Sequence, residues 1–400
     1  MIIMTIQEKY GFKKVLNTRG PATIFGAAKV PDEIRRDIYD ILGESVEIRD
    51  LQALVSKAVQ KLTGAEAGCA VHCTSAGMTI ATAAALAGDD PAKIKALPDI
   101  TWNKKKVIIQ KGQVTGAGDC PVWQVIKICG AQYVEIGEAL DCASFHLQSA
   151  LDENTAAAFY IMEDTFAPNL LPLETFVKIC HEKKVPVICD AAYLTDFRML
   201  AELQVDLAIY SGHKWLGGCT SGIIAGRKDL VHACYLQEMG IGRPMKVGKE
   251  GLISVLSAID YWLNRDVQAI RKSQTAIAEE LIKEVKDIPG VTCRMTESLY
   301  SPSVRVTMDI DEKQTGISAQ AINDDMALQN PVIITDDYYI NQGRFMFDMA
   351  YLDPGDGAAI GRIIREYISG ERIPRESGRK VPRPRQDVLY EWFNGWMEER

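Results

Sequence analysis

The chain has 400 residues, 47% hydrophobic and 24% charged, which excludes disorder as its main state. Its 45 Lys and Arg against 53 Asp and Glu give a formal charge of −8, which argues against a general binder of nucleic acid or anionic membrane but leaves room for a local phosphate pocket. The opening MIIMTIQEKYGF has no export signal, and no run nears the roughly 20 apolar residues of a membrane helix, so a cytoplasmic protein is expected.

In chain order, the pattern predicts irregular structure to about Arg19, then a helix over Pro31–Leu42 with Pro at its start. A second helix, DLQALVSKAVQKLTG, has apolar spacings of three and four and a glycine stop at Gly64. Strands at Gly68–His72, Lys106–Gln110, Gln132–Ile136, Ala156–Met162, Pro186–Cys189, Leu207–Tyr210 and Gly222–Ala225 follow. Helices at Thr79–Ala87, Trp123–Cys129, Ala143–Leu151 and Leu173–Glu182 alternate with them. Such alternation predicts an α/β domain with a mostly parallel sheet. After about Gly251 come a long helix over Leu252–Lys286 and an α+β module. In it, strands Val291–Met295, Ser303–Asp309, Val332–Thr335 and Arg344–Met349 combine with helices Ser318–Leu328 and Gly357–Ile368. The expected division is an N-terminal segment (1–45) that packs with the small domain and the active site, a large domain (46–251), a small C-terminal domain (252–370) and an extension (371–400) rich in Pro and Arg.

Ten Cys show no paired zinc spacing, and many sit in apolar runs, as reduced buried thiols do. Cys69, His72 and Cys73 lie in the strand-like AGCAVHC, where alternate residues face opposite ways, so no metal is expected.

Four features carry chemistry. His72-Cys73-Thr74-Ser75-Ala76-Gly77-Met78 joins a strand to a helix, where free backbone N–H groups bind phosphate. Asp190 ends the strand in VPVICDAAY, where a buried acid needs a cationic partner or strong donors. Ser211-Gly212-His213-Lys214 follows the strand LAIY, and a Lys there can act as an amine nucleophile. Gly217-Gly218-Cys219-Thr220-Ser221-Gly222 allows close approach of the chain to a ligand. Taken singly these read equally as an ordinary turn, an N-cap, a surface lysine and a loop. Together they match what pyridoxal phosphate needs: an anion cradle, an acid for the pyridinium nitrogen and an amine.

These residues resemble the fold-type I pyridoxal phosphate enzymes, specifically the selenocysteine synthase-like branch that includes D-glucosaminate-6-phosphate ammonia-lyase. The resemblance rests on Asn17-Thr18-Arg19-Gly20, Lys61-Leu62-Thr63-Gly64-Ala65-Glu66-Ala67, Thr74–Met78, Val107-Ile108-Ile109-Gln110, Pro186–Ala192 and the Lys214 segment with its Gly-Gly. It covers about residues 15 to 368. It implies the fold-type I transferase fold, with phosphate contacts at Ser75, Ala76, Gly77 and Ser211. It further implies a pyridine partner at Asp190, a Schiff-base lysine at Lys214 and cofactor contacts from His213, Gly217 and Gly218. Relatives of this branch place an aromatic or imidazole ring on the cofactor, where this chain has Gln113. They also carry an Asp-Pro-Arg-like run, where this chain reads Phe347-Asp348-Met349-Ala350-Tyr351-Leu352-Asp353-Pro354-Gly355. Arg19 and Arg344 are therefore the candidates for a substrate carboxylate.

The resemblance implies α,β-elimination on a small polar amino acid, of either enantiomer and phosphorylated or not, releasing ammonia and a keto acid. An aminotransferase, racemase or aldolase would use the same apparatus. tRNA-dependent selenium transfer fits less well, because the matching segments begin at Asn17 and the charge is acidic. Lys104-Lys105-Lys106 could meet a phosphorylated substrate or merely be solvated. A rival reading, a nicotinamide dehydrogenase, rests on Val114-Thr115-Gly116-Ala117-Gly118 and Glu135, but Pro121 stands at the third glycine position. The resemblance also implies a homodimer or a higher homo-oligomer acting on a small molecule, with no nucleic acid and no membrane as partner.

Overall fold

The computed structural model describes residues 5–114, 116–117, 120–162, 169–298, 301–374 and 385–395. The chain divides by packing into two units, residues 29–265 and residues 1–28 with 266–400. Helix α1 (Ile6–Tyr10) and strand β1 (Val15–Asn17) open the chain in the second of these.

Residues 29–265 run through α2 (Asp32–Leu42), α3 (Ile48–Thr63), β2 (Ala67–Val71), α4 (Thr74–Ala87), α5 (Pro91–Ala96) and β3 (Lys106–Gln110). The hairpin β4 (Gly116–Ala117) and β5 (Cys120–Pro121) leads to α6 (Val122–Lys127), β6 (Gln132–Ile136), α7 (Ser144–Ala150) and β7 (Thr155–Ile161). Then come α8 (Leu173–Glu182), β8 (Val187–Asp190), α9 (Met199–Glu202), β9 (Leu207–Ser211), β10 (Gly222–Gly226), α10 (Lys228–Leu236) and α11 (Lys249–Asn264). Seven strands form one sheet in the order β2-β10-β9-β8-β7-β3-β6. Only β10 is antiparallel to its neighbours. Both faces are covered, so the central strands read as unbroken apolar runs. Along β8, Val187 and Cys189 face the core under α3, α8 and α11, while Ile188 faces the core under α4 and α10.

Helix α4 begins at Thr74, five residues before the expected Thr79, because extended Cys73 serves as its N-cap. Gly77 is tolerated inside it because a Cβ there would come within 2.7 Å of Ile209 Cγ2. The helix expected over 252–286 is two helices, since Arg265 is extended and Asp266 Oδ1 accepts the Ala269 N–H at 2.9 Å, starting a new one. Helices α2 and α11 pack on each other within 29–265. The division by packing falls at residues 28/29 and 265/266.

The other unit continues with α12 (Val267–Val285), β11 (Val291–Ser298), β12 (Ser301–Ile310), α13 (Glu312–Thr315), α14 (Ala319–Met326), β13 (Val332–Ile334), β14 (Arg344–Asp348), α15 (Asp356–Ile368) and α16 (Arg385–Asn394). An antiparallel sheet β11-β12-β14 packs Val306, Phe345 and Phe347 against Leu281, Ile360 and Ile364 of α12 and α15. Strand β1, too short to show a period, pairs parallel with β13. Among the described residues no helix is long and apolar enough to cross a membrane.

Candidate active site

The six parallel strands of the large sheet end at one edge, the usual ligand edge of such sheets. Asp190 closes β8, Ser211 closes β9, Gln110 closes β3, and α4 starts three residues after β2. At the start of α4 the first N–H groups lack intrahelical acceptors, and only Ala76 meets a weak one, the Cys73 Sγ at 3.5 Å. The Gly77 N–H donates to Cys73 O at 2.9 Å. Among the described residues the open donors are those of Thr74 and Ser75, with Ala76 only weakly engaged. Gly222 at the head of β10 lies so close that a Cβ would sit 2.5 Å from Cys73 O.

Asp190 is buried, and its Oδ1 accepts the Ala192 N–H at 3.0 Å. Burial pushes its carboxyl pKa up, while the Lys214 charge and the Ala192 bond pull it back. Lys214 Nζ lies over the Tyr193 ring, 3.2 Å from its centroid. The Lys214 loop is closed by the glycines after it, with Gly217 N–H donating to Lys214 O at 3.1 Å and Gly218 N–H to Gly212 O at 2.9 Å. Gly217 has φ +75°, and a Cβ on Gly218 would meet Gly212 O and Ser254 Oγ at 2.8 Å. Both N–H groups are thus engaged in shaping the loop.

Five buried side-chain polar atoms lack a partner among the described residues, and three of them fall on this one loop: Ser211 Oγ, His213 Nδ1 and Trp215 Nε1. An unpartnered buried polar atom costs ~1–3 kcal/mol, so such a concentration marks a place built for a ligand. Burial pushes the His213 imidazole down to about 4, with the Lys214 and His72 charges adding to it. It is therefore neutral near pH 7. Gln113 is buried with both ends of its amide engaged, Nε2 donating to Ile161 O at 3.1 Å and Oε1 accepting Ile161 N–H at 3.3 Å. That pairing fixes the amide at the end of β7.

The other candidates are each held by their own neighbours. Arg19 sits in a loop shaped by Asn17, whose Nδ2 donates to Gly20 O at 2.9 Å and whose Oδ1 accepts Arg19 N–H at 3.0 Å. Its guanidinium is 3.5 Å from Asp337. Arg344 is committed across the β12–β14 ladder, its Nε 2.6 Å from Asp309 Oδ1. Lys106 stands at the start of β3, away from the ligand edge, and pairs with Asp152 at 2.6 Å. Of the rival dinucleotide motif, Gly116–Ala117 pairs with Cys120–Pro121 as a small hairpin, while Thr115 and Gly118 lie outside the described residues. Of the extension, 375–384 and 396–400 also lie outside them.

Sequence reasoning missed Tyr193 and Trp215. The signal for Tyr193 was an aromatic three residues after the strand-end acid in DAAY, and for Trp215 an aromatic directly after the lysine.

A buried acid, an amine and an anion cradle on one edge of a mostly parallel sheet define the class as fold-type I pyridoxal phosphate enzymes. The L-seryl-tRNA selenium transferase family (SelA) matches residues 38–324, and the chain belongs to that family. It is 33% identical to a 5'-C-glycyluridine monooxygenase-decarboxylase from Streptomyces sp, over 90% of this chain and 91% of that one. It is 29% identical to the D-glucosaminate-6-phosphate ammonia lyase of Salmonella typhimurium, over 90% of this chain and 97% of that one. A solved structure of D-glucosaminate-6-phosphate ammonia-lyase superposes with a TM-score of 0.83 at 28% identity, covering 92% of this chain and 99% of that one. The family and the fold are those of pyridoxal phosphate-dependent enzymes, and the chain is one of them.

Proposed function

We propose that the protein is a lyase that carries out α,β-elimination on a small polar amino acid and releases ammonia and a keto acid. The observation that carries this is the likeness to an ammonia lyase along 90% of this chain and 97% of the relative. The N–H groups of Thr74, Ser75 and Ala76 and the Ser211 hydroxyl would hold the phosphate of pyridoxal phosphate. Asp190 would hold the ring nitrogen protonated, and His213 and Gln113 would contribute neutral contacts. When bound, the cofactor supplies an electron sink for the bond broken at the substrate Cα. Lys214 Nζ takes the Cα proton and can deliver it to the departing β-group. Burial raises the Asp190 carboxyl, the Lys214 charge pulls it back, and a protonated ring nitrogen would add to that pull. Arg19 is the proposed partner of the substrate carboxylate. Arg344, held by Asp309, is less suited to it.

A second reading is favoured by the 33% identity to a monooxygenase-decarboxylase, namely loss of carbon dioxide with uptake of dioxygen. One panel separates the two. The holoenzyme is given amino acids of both enantiomers, phosphorylated amino-sugar acids included, and ammonia, keto acid, carbon dioxide and dioxygen are followed. Ammonia with keto acid and no dioxygen uptake supports elimination. Carbon dioxide with dioxygen uptake supports the second reading, and turnover only with an added keto acid contradicts both.

We further propose a cytoplasmic homodimer, or a higher homo-oligomer, acting on a small molecule rather than on nucleic acid or a membrane. The net charge of −8 supports the choice of substrate. Light scattering that finds an active monomer contradicts the oligomer.

A further inference from the structure

The close side-chain contact of Lys214 among the described residues is a ring, while Asp190 acts on it as a charge without an ion-pair contact. The Lys214 Nζ stands 3.2 Å from the centroid of the Tyr193 ring. Tyr193 is carried on a turn fixed at both ends. Ala191 N–H donates to Ile209 O at 2.9 Å, Leu194 N–H donates to Ala191 O at 3.0 Å, and the side chains of Ala191 and Leu194 are buried in the core. The same turn leaves Asp190 directly, and its second residue, Ala192, donates to Asp190 Oδ1. The turn therefore sets the acid and the ring together, while the ring stays 39% exposed.

The chemistry favours a ring at this place. A lysine that must alternate between a covalent bond and free proton transfer has to be held near its task yet remain able to give up its proton. A carboxylate in contact would keep the ammonium protonated. An aromatic face also favours the charged form, but by a factor of only about 2 to 30, and it takes up no proton itself.

We propose that Tyr193 is a positioning residue whose ring face, not its hydroxyl, holds the Lys214 amine whenever that amine is not covalently engaged. This rests on the reading of Lys214 as the cofactor lysine. The test uses the full chain, stripped of cofactor, as wild type, Tyr193→Phe and Tyr193→Leu. Each is mixed with pyridoxal phosphate, and the rate at which visible absorbance appears is followed. Inorganic phosphate is then added as a competitor, which reads the α4 cradle independently of the ring. The Leu variant is expected to react about 5- to 30-fold more slowly, with Phe within about twofold of wild type and the half-inhibiting phosphate concentration equal in all three. A Phe variant as slow as Leu would assign the effect to the hydroxyl and overturn the proposal. A Leu variant as fast as wild type overturns it too, as does a Leu variant whose phosphate inhibition shifts, because the loss then belongs to the shape of the site. A wild type that never absorbs in the visible overturns the cofactor reading underneath, which the other outcomes leave standing.

Discussion

Two buried aspartates stand at opposite ends of adjacent strands and differ in one respect. Asp206, just before β9, has both oxygens engaged. Oδ2 accepts Val187 N–H at 2.8 Å and faces His181 Nε2 at 2.8 Å, and Oδ1 accepts from Arg227 at 3.1 Å. Asp190, ending β8, has a single hydrogen bond among the described residues and a carboxyl pushed up by burial. Asp206 is satisfied by the fold alone, and a buried acid of that kind holds strands together. Asp190 is left short of positive charge at the edge where Ser211, His213 and Trp215 also lack partners. The difference teaches that unmet polar capacity, rather than burial or charge, separates the working edge of this sheet from the structural one.

That contrast can be broken by substitution, and the largest effect is expected at the amine. Lys214→Ala should lower turnover by at least about 10⁴-fold while leaving the thermal unfolding midpoint near wild type. The two aspartates should then separate cleanly. Asp190→Asn should cost turnover about 10²- to 10⁴-fold with little change in unfolding, whereas Asp206→Asn should cost about 1–3 kcal/mol of stability by weakening the buried bond from Val187 N–H and the pairing with half-exposed Arg227 and His181. Kinetics and denaturant melts on the same pair of variants check this, and equal effects of both kinds would erase the distinction.

A smaller effect concerns pH. His213 titrates at about 4 in the folded protein against an ordinary 6.5, so between those values the unfolded chain binds a proton that the folded chain refuses. Stability therefore rises with pH through this window and is lost as pH falls. The cofactor-free protein should lose about 2 kcal/mol from this group between pH 7 and pH 5. Urea melts at the two values should show His213→Gln losing correspondingly less. The smallest effect is expected at Ser211→Ala, which should weaken pyridoxal phosphate binding about tenfold, as removal of one hydrogen bond to a charged group does, measurable by titration of the stripped protein.

Much of the working edge was legible in the chain, for a physical reason. Strands covered on both faces announce themselves as apolar runs, and in a parallel sheet the residue after each run lies at the ligand edge. Asp190 and the Ser211–Lys214 segment could be placed that way. What was not legible depended on three-dimensional neighbours. Gly77 reads as a turn residue until Ile209 is seen to require it inside a helix. The break at Arg265–Asp266 carries no Gly or Pro and is made by a single cap. Nothing in the sequence shows that Arg344 is paired, which the β12–β14 register brings about by setting Asp309 opposite it. Tyr193 has no periodicity to reveal it, since it stands in a turn, and its contact is with a residue 21 positions away.

The central claim is that one amine, Lys214, bonds to the cofactor. Reducing the holoprotein with borohydride and mapping its peptides by mass spectrometry tests this most directly. The expected result is a pyridoxyl group on the peptide that contains Lys214 and on no other. A label on a different lysine, or none at all in protein saturated with pyridoxal phosphate, would contradict it.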